Sequence, residues 1–461
     1  MSKIKFKIYT LGCKVNQYDG NDLVAKLTAA GFTMVKNGAD LAIINTCAVT
    51  KTALAKDRQM VARARKENPG AKIIITGCAP KVYKEEMAEL GADLVVAERE
   101  TETILEKITN YKLQITNKFP NFKSQISRGD INLVRSDKSR YFIKIQDGCK
   151  QFCTYCIIPY VRGDLRSRQA EEVIQEVEGA VASGYREIVL CGIHLGLYGA
   201  DFHSLSFARR GQGEVNYGEK KRQTSPQPSP YKGEGANAEF RNYDLASLLL
   251  ELINIPQLGR IRLSSIEVNE VTDELIDLIK TSGKICRHLH IPLQSGNDKI
   301  LKLMNRPYTT KIFASRKNKI KRAVPDIAIS TDVIVGFPGE SASDFDKTVA
   351  FIKKMKFSKV HVFPFSAHER TPAAKMPDQV SVQIRLARSK RLNGLSAKLE
   401  REYQTRFKGK KLACIIDGRS KDGRYRAKTE FHFAIEFSSS KKFFPGDLVE
   451  VKNWCLLGRE I

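Results

Sequence analysis

The stretch that decides the fold is residues 141–168, which read YFIKIQDGCKQFCTYCIIPYVRGDLRSR. It begins with a short, mostly apolar run, YFIKI, of the kind that forms a buried β-strand. Three cysteines follow this strand: Cys149, Cys153 and Cys156, in the spacing Cys-x3-Cys-x2-Cys. The sequence therefore predicts a strand that delivers three thiol groups onto one tight loop.

This three-cysteine loop is suited to an iron–sulfur cluster. Three thiolates hold three irons of a 4Fe–4S cube and leave the fourth iron without a protein ligand. That open iron can take the amino and carboxylate groups of a methionine moiety. A structural zinc site takes four Cys or His ligands, and this loop supplies three. Cysteines that bind no metal are the other alternative.

Short apolar strands alternate with helical stretches after this loop. The strands predicted after 141–145 are 187–190, 260–264, 288–291, 328–336 and 359–365. Strands that alternate with helices form parallel sheets, so the class is α/β and six strands predict a complete or partial β/α barrel. A long helix is predicted over 378–406.

The first 108 residues show a second alternation. The predicted strands are 6–10, 41–46, 72–76 and 94–96, and the predicted helices lie near 19–30, 51–67 and 83–90. Cys13, Cys47 and Cys78 each follow one of the first three strands. Because the carboxyl ends of parallel strands meet at one sheet edge, we expect these thiols to converge and to hold a second cluster. Three buried core cysteines are the alternative.

The remaining segments complete a three-domain organisation: a parallel α/β domain over 1–108, a barrel core over 137–395 and a C-terminal domain over 396–461. Residues 112–136 are predicted to be a linker. The insertion 203–242 is predicted to be disordered, because it buries too little apolar surface to fold. The C-terminal domain is predicted to be a small antiparallel β-barrel, from strand patterns at 410–416, 425–428, 431–437 and 448–451 separated by Asp-Gly and Pro-Gly turns.

The charge of the chain favours a polyanionic partner. The formal net charge is +26, from 77 Lys and Arg against 51 Asp and Glu. Residues 396–461 hold 15 basic and 9 acidic residues, and 299–322 hold nine basic ones. A small basic β-barrel favours RNA, and a solvated basic surface is the alternative. The chain has no apolar run of membrane-spanning length and no signal-peptide core, so we expect a cytoplasmic location without disulfides.

The cysteine loop, with Tyr155 before its last cysteine, resembles the radical S-adenosylmethionine enzymes. Four more segments match that family at predicted strand ends: LCGIH (190–194), LSSIE (263–267), IPLQSG (291–296) and DVIVGFPGE (332–340). The resemblance implies that one electron from the cluster splits S-adenosylmethionine into methionine and a 5′-deoxyadenosyl radical. It implies cofactor-binding roles, with packing or loop capping as the alternative, for Tyr155, Gly192, Ser265, Glu267, Gln294 and Gly336.

With the N-terminal cysteines included, the chain resembles the methylthiotransferase subfamily. Its members combine such an N-terminal domain and a radical core with a C-terminal RNA-binding barrel, the TRAM domain. TLGCKVNQYD (10–19), INTCAVT (44–50) and GIHLGLYG (192–199) look most like the branch that acts on threonylcarbamoyladenosine in tRNA. This implies methylthio insertion at C2 of that base at position 37, with two 4Fe–4S clusters and S-adenosylmethionine as cofactors. The implied partners are the tRNA anticodon loop and an electron donor such as flavodoxin or ferredoxin, and a monomer is expected.

Three alternatives stay open: the branch that acts on isopentenyladenosine, the branch that acts on a ribosomal-protein aspartate, and a non-catalytic iron–sulfur protein that binds RNA. Arg162, Arg166 and Arg168 are candidates to hold substrate or cofactor carboxylates, with a solvated basic loop as the alternative. For His194 we expect a structural hydrogen bond, with contact to substrate as the alternative. The remaining cysteines are expected to pack in cores: Cys191, Cys286, Cys414 and Cys455.

The chain departs from the family pattern at three places. His368 and Arg370 stand where a basic residue and a glycine usually precede Thr-Pro. Ala79 and Pro80 follow Cys78 in place of an aromatic residue and a glutamine, and Val268 replaces a proline. None of these changes removes a predicted ligand, so they bear on substrate choice and activity.

Overall fold

The computed structural model describes residues 4–49, 51–116, 139–202 and 243–456. Along the chain come a parallel sheet, six parallel strands arranged as a barrel, and an antiparallel sheet. The predicted insertion 203–242 and most of the predicted linker lie outside the described residues. Within the described part of the chain, no helix is long and apolar enough to cross a membrane.

The N-terminal sheet has five parallel strands in the order β2-β1-β3-β4-β5. The elements of this unit are β1 (Lys5–Thr10), α1 (Lys14–Ala29), β2 (Thr33–Met34), β3 (Leu41–Thr46), α2 (Lys51–Glu67), β4 (Lys72–Gly77), α3 (Lys84–Ala88), β5 (Leu94–Val95) and α4 (Thr101–Thr116). The linker predicted from residue 112 is wrong at its start, because α4 continues to Thr116. Ile104 and Ile108 of α4 pack into the core on one face of the sheet, which holds the helix there.

The central unit is an open barrel of parallel strands. Its elements are β6 (Tyr141–Lys144), β7 (Gln146–Asp147), α5 (Ile158–Arg162), β8 (Arg166–Ser167), α6 (Ala170–Ala182), β9 (Glu187–Cys191), α7 (Leu245–Ile253), β10 (Arg260–Leu263), α8 (Asp273–Thr281), β11 (His288–His290), α9 (Asp298–Leu303), α10 (Thr310–Ala323), β12 (Ala328–Val335), α11 (Ala342–Met355), β13 (Lys359–Pro364) and α12 (Val382–Thr405).

Six of these strands build the barrel wall in chain order. Strands β6, β9 and β10 form one parallel sheet, and β11, β12 and β13 form another. Parallel bridges between Ile261 and Ile285 and between Ser265 and His290 join the two sheets. No ladder among the described residues joins β13 back to β6. The prediction of a partial barrel is therefore confirmed.

Helix starts around the barrel are set by short polar side chains. Each of these residues accepts a hydrogen bond from an amide of the first helical turn: Thr272, Asn297, Thr309, Ser341 and Ser381. Such caps satisfy amides that have no partner inside the helix. They fix where each helix begins its return across the barrel, and hence where the strand-end loops lie.

The C-terminal sheet is antiparallel, as predicted, in the order β17-β14-β15-β16-β18. Its strands are β14 (Leu412–Arg419), β15 (Tyr425–Thr429), β16 (Ala434–Phe437), β17 (Leu448–Val451) and β18 (Cys455–Leu456). The strand predicted from residue 431 is wrong at its start, because the hairpin turn between β15 and β16 occupies that position. The Thr429 amide bonds to the Phe433 carbonyl, and His432 takes a left-handed φ of 71°.

A buried ion cluster joins the barrel to this sheet. The Glu187 carboxylate accepts from Arg260 Nε at 2.5 Å and from Arg262 Nε at 2.9 Å. The other guanidinium nitrogens donate to carbonyl oxygens of the C-terminal sheet, those of Ala413, Lys428, Thr429 and Glu430. One carboxylate on β9 therefore orients both arginines that hold the sheet.

Candidate metal centres

The loop that carries Cys149, Cys153 and Cys156 is closed at its base by strands β7 and β8, which pair antiparallel. Gly148 has a φ of 75°, and a Cβ there would lie 1.8 Å from the Asp164 carbonyl oxygen. Only glycine tolerates both the left-handed φ and so close an approach of two backbones. The loop thus folds back on itself and carries its cysteines at the carboxyl end of β6.

The sulfur atoms of this loop lie near enough to influence one another electrostatically, in a site that suits metal ligands. Burial raises the pKa of Cys156 to about 12, and the nearby sulfurs of Cys153 and Cys149 add to the effect. Burial also raises the pKa of Cys153. Thiolates so disfavoured become stable when a metal ion binds and displaces their protons. The donor set and its burial therefore fit an iron–sulfur cluster.

Two basic side chains contact these sulfurs. Arg306 Nη1 lies 3.3 Å from the Cys153 sulfur, and His194 Nδ1 lies 3.4 Å from the Cys149 sulfur. The other ring nitrogen of His194 pairs with the Glu270 carboxylate. Burial lowers the pKa of His194, but its contacts with Cys149 and Glu270 outweigh the burial and raise the value to about 10. His194 thus makes the structural contact expected of it.

The second set of cysteines lies at the carboxyl edge of the N-terminal sheet. Cys13 precedes α1, Cys47 follows β3 and Cys78 follows β4. Burial raises the pKa of Cys47 to about 12, and the sulfurs of Cys78 and Cys13 are near enough to raise it further. Gly12 has a φ of 94° and leaves no room for a side chain, because a Cβ at this position would lie 2.8 Å from the Cys47 sulfur.

Arg162 connects the two sets. It belongs to α5 in the first cysteine loop, and its side chain is fully buried. Its Nη1 donates to both Asp147 oxygens at 2.8 and 3.0 Å, and its Nη2 lies 3.5 Å from Asp19 and 3.6 Å from the Cys78 sulfur. The carboxylates that this arginine holds in the structure are therefore the protein's own.

The other two predicted arginines line a polar cleft of about 920 Å³ between the N-terminal unit and the barrel. Arg166 is exposed and pairs with Glu100 at 3.1 Å. Arg168 donates to Glu176 at 2.6 Å and to the Tyr18 hydroxyl at 3.0 Å. Helices α1 and α6 and the start of α4 contribute to its walls.

Two of the predicted cofactor-binding residues meet at Arg306. The Tyr155 hydroxyl lies 3.4 Å from Arg306 Nη1, and the tyrosine ring packs against an apolar cluster that contains Phe337. Glu267 forms an ion pair with Arg306 Nη2. Arg306 therefore ties a cysteine of the loop to the end of β10.

The remaining predicted cofactor-binding residues lie at strand ends of the barrel. Ser265 bridges to His290, and Gln294, with a left-handed φ of 64°, bridges to Val333. Gly192 directly follows β9, and the Gly336 amide after β12 donates to Glu340 at 2.6 Å. The carboxyl edge of the barrel thus gathers them beside the cysteine loop.

Sequence reasoning missed several residues of these sites. Arg99, Arg306 and Glu270 contact cysteines or their partners, and none lies in a segment that we singled out as a ligand. A signal existed for Arg99, which follows β5 at the same sheet edge as Cys47 and Cys78. Arg306 follows a short helix and has no such signal. The cysteines assigned to packing are all buried: Cys191, Cys286, Cys414 and Cys455.

The departures from the family pattern are accommodated locally. His368 Nδ1 lies 2.9 Å from the Tyr83 hydroxyl, and its Nε2 lies 2.8 Å from the Val49 carbonyl oxygen. It therefore joins the end of the barrel to the loop after Cys47. Ala79 and Pro80 begin a short 3-10 turn, and Val268 begins another.

Comparison with known proteins defines the class. The radical SAM superfamily model matches residues 143–352, and the model described as uncharacterized protein family UPF0004 matches residues 5–97. The solved structure of the radical S-adenosylmethionine methyltransferase TsrM from Kitasatospora setae shares the fold, with a TM-score of 0.54 and 13% identity over 81% of this chain and 77% of that chain. The match over residues 143–352 and the shared fold thus place the open barrel in the radical SAM superfamily.

Relatives narrow the class to a family. The threonylcarbamoyladenosine tRNA methylthiotransferase MtaB of Bacillus subtilis is 38% identical over 96% of this chain and 92% of its own length. The tRNA-2-methylthio-N(6)-dimethylallyladenosine synthase of Carboxydothermus hydrogenoformans is 31% identical over 98% and 97%. The chain belongs to the radical S-adenosylmethionine methylthiotransferase family. The predicted resemblance is confirmed, and with it the cofactor classes, S-adenosylmethionine and 4Fe–4S chemistry.

Proposed function

We propose that this protein adds a methylthio group to C2 of N6-threonylcarbamoyladenosine at position 37 of tRNA. Relatives named for threonylcarbamoyladenosine are 33–38% identical to the chain, whereas relatives named for dimethylallyladenosine are 30–31% identical. This difference supports the choice of substrate. The proposal includes a cytoplasmic monomer that receives electrons from a flavodoxin or ferredoxin.

The observation that carries the proposal is that Arg162, in the loop that carries one three-cysteine set, contacts Cys78 of the other set. Cys149, Cys153 and Cys156 hold one 4Fe–4S cluster, and a second is held by Cys13, Cys47 and Cys78. When bound, one cluster would supply the electron that cleaves S-adenosylmethionine into methionine and a 5′-deoxyadenosyl radical, and the other would supply the sulfur. The radical would take the hydrogen of a C–H bond too weakly acidic for base catalysis, and a second S-adenosylmethionine would supply the methyl group. Arg162 lies in the first loop and contacts Cys78, so the protein holds both sets at one junction.

The chain's own residues bind and orient S-adenosylmethionine at the barrel edge. Glu267 and Tyr155 take defined positions against Arg306, which also contacts Cys153. We assign cofactor contacts to these two residues and to the strand-end residues Ser265, Gln294, Gly192 and Gly336. Arg166 and Arg168 border the polar cleft, where we assign them to substrate.

Basic and aromatic surface groups suit an RNA partner. Phe444 in the C-terminal unit is 55% exposed, and Lys442 Nζ lies 5.2 Å from its ring centroid. Helix α10 exposes Lys311, Lys319 and Arg322. Cations neutralise phosphates, and exposed rings stack on unpaired bases. An anticodon loop presents such bases, whereas a stem hides its base edges from a deep site.

Nucleoside mass spectrometry tests this function. The chain is expressed in a bacterial strain that lacks its own methylthiotransferases, and total tRNA is digested. We expect the methylthio derivative of threonylcarbamoyladenosine with the wild-type chain and its loss with Cys47→Ser. Cys286→Ala is the matched control, because Cys286 is buried and its charged neighbours are Arg262, Glu187, Arg260 and Glu430 rather than any of the six cysteines, so it should retain the product.

Two results would contradict the proposal. Methylthio addition only to isopentenyladenosine would assign the chain to another branch. Full product with Cys47→Ser would remove the role of the second cysteine set.

A further inference from the structure

A largely buried network of charges lies beside Cys78, at the junction of the N-terminal unit and the barrel. Asp19 pairs with Arg99 at 2.7 Å, with Lys144 at 2.5 Å and with Arg162 at 3.5 Å. Asp147 pairs with Arg162 at 2.8 Å and with Lys144 at 3.3 Å. Three cations thus share two carboxylates, which leaves one positive charge in excess.

The excess charge faces a sulfur. Arg99 Nη1 donates to the Cys78 sulfur at 3.1 Å while its Nη2 holds Asp19, and Arg162 Nη2 approaches the same sulfur at 3.6 Å. The side chain of Arg99 is 9% exposed and that of Arg162 is fully buried. Solvent screens charges poorly at this depth, so an anionic sulfur at Cys78 would balance the network.

Arg162 also retains an unused donor. Its Nε is buried and has no hydrogen-bond partner among the described residues. A buried N–H without a partner costs free energy, so its presence beside the cysteines is consistent with an acceptor that the protein atoms do not supply. The sulfur atoms of an iron–sulfur cluster are acceptors of this kind.

We propose that Arg99 and Arg162 are positioning residues that raise the reduction potential of the cluster on Cys13, Cys47 and Cys78. Hydrogen bonds to ligand sulfur and nearby positive charge favour the reduced, more negative form of a cluster. The proposal rests on the second cluster of the proposed function. It adds that this cluster is tuned by the barrel, through Arg162, as well as by its own domain, through Arg99.

A redox titration of the full-length chain tests this. The substitutions Cys149→Ala, Cys153→Ala and Cys156→Ala leave the second set as the only predicted cluster site. The protein is reconstituted anaerobically with iron and sulfide, and its midpoint potential is followed by electron paramagnetic resonance. Arg99→Gln and Arg162→Gln each remove a positive charge beside the Cys78 sulfur and shorten the side chain, so each midpoint should be more negative than in the parent.

Two further variants make the result specific. Arg99→Lys keeps the charge beside Asp19 but loses the planar fork whose separate nitrogens bond Asp19 and the sulfur, so a smaller shift in the same direction is expected. It also covers the case in which Arg99→Gln fails to fold. Arg63→Gln is the matched control, since Arg63 is 62% exposed on the same domain and pairs only with Glu67 among the described residues.

The possible outcomes distinguish a failure of this inference from a failure of the proposed second cluster. About four irons per parent chain, with lower midpoints for the Arg99 and Arg162 variants and an unchanged midpoint for Arg63→Gln, supports the inference. About four irons with unchanged midpoints in Arg99→Gln and Arg99→Lys overturns it and leaves the second cluster standing. A parent that binds no iron overturns the inference together with the second cluster.

Discussion

The attachment of the C-terminal sheet to the barrel depends on one carboxylate, Glu187. It is fully buried and oriented between Arg260 and Arg262, whose remaining nitrogens bind carbonyl oxygens of the sheet. Glu187→Gln keeps the shape of the side chain and removes its charge. Two buried guanidinium groups then lose their counter-ion, so we expect the sheet to detach at lower denaturant concentration.

The magnitude follows from the burial of all three groups. Removing one partner of a buried ion pair costs about 3–5 kcal/mol, because the remaining charge is left uncompensated. Glutamine still offers a carbonyl oxygen to one arginine, which places the loss near the lower end, at about 3 kcal/mol. With a urea dependence of about 1.5 kcal/mol per molar, the midpoint of the transition falls by about 2 M.

The chain provides its own probe for this experiment. Trp454 is the single tryptophan in the sequence, and it lies in the C-terminal unit with its indole N–H bonded to the Lys410 carbonyl. Its ring packs against Phe433, 6.0 Å between centroids. Tryptophan fluorescence in a urea titration therefore reports on the C-terminal sheet rather than on the whole chain.

A control and a pH series sharpen the test. Asp346→Asn breaks an exposed pair with Arg391 and should cost less than about 1 kcal/mol.

Burial opposes ionisation of Glu187, but Arg262 and Arg260 outweigh it and hold its pKa at about 2. A depressed pKa stabilises the fold above the unfolded value and loses that effect as pH falls through 2, so the variant should differ from wild type equally at pH 6 and pH 8. Equal midpoints for Glu187→Gln and wild type would refute the reasoning.

Two further outcomes are expected. Gly12→Ala places a Cβ against the Cys47 sulfur, so the reconstituted protein should lose about four of its about eight irons. Gly38→Ala is the control, because Gly38 also has a positive φ but has open space around it, and this variant should lose no iron. Equal iron contents in the two variants would contradict the clash. His368→Leu removes the hydrogen bond to the Val49 carbonyl oxygen, so the backbone amides near Cys47 should exchange with solvent roughly fivefold faster. Hydrogen-exchange mass spectrometry measures this rate, and an unchanged rate would show that the contact does not hold the loop.

The strands could be predicted from the sequence because their burial leaves a local pattern. Strand β3 is the clearest case: every residue of LAIINT is buried, and the run ends at Thr46, directly before Cys47. Once the strands were known to be parallel, the common edge of Cys13, Cys47 and Cys78 followed from topology alone. The same reasoning located the cysteine loop at the end of β6.

The remaining features lack a local pattern. Helix α1 begins at Lys14, yet Cys13 at its N-cap makes no side-chain capping bond, so the usual start signal is missing. The turn at His432 is left-handed without a glycine. Arg162 and Asp19 are separated by 143 positions, and no local sequence pattern in either segment predicts that they pair. Contacts set by packing between domains are therefore visible only in three dimensions.

The contact of Arg162 with Asp19 and Cys78 has a consequence for modular engineering. The chain consists of recognisable units, which invites transplanting the N-terminal unit onto another barrel. Yet Asp19 and Arg99 belong to one unit, whereas Lys144, Asp147 and Arg162 belong to the other. A chimaera that replaces only one unit keeps some of these charged residues without their partners. The residues on both sides of the junction therefore have to be exchanged together.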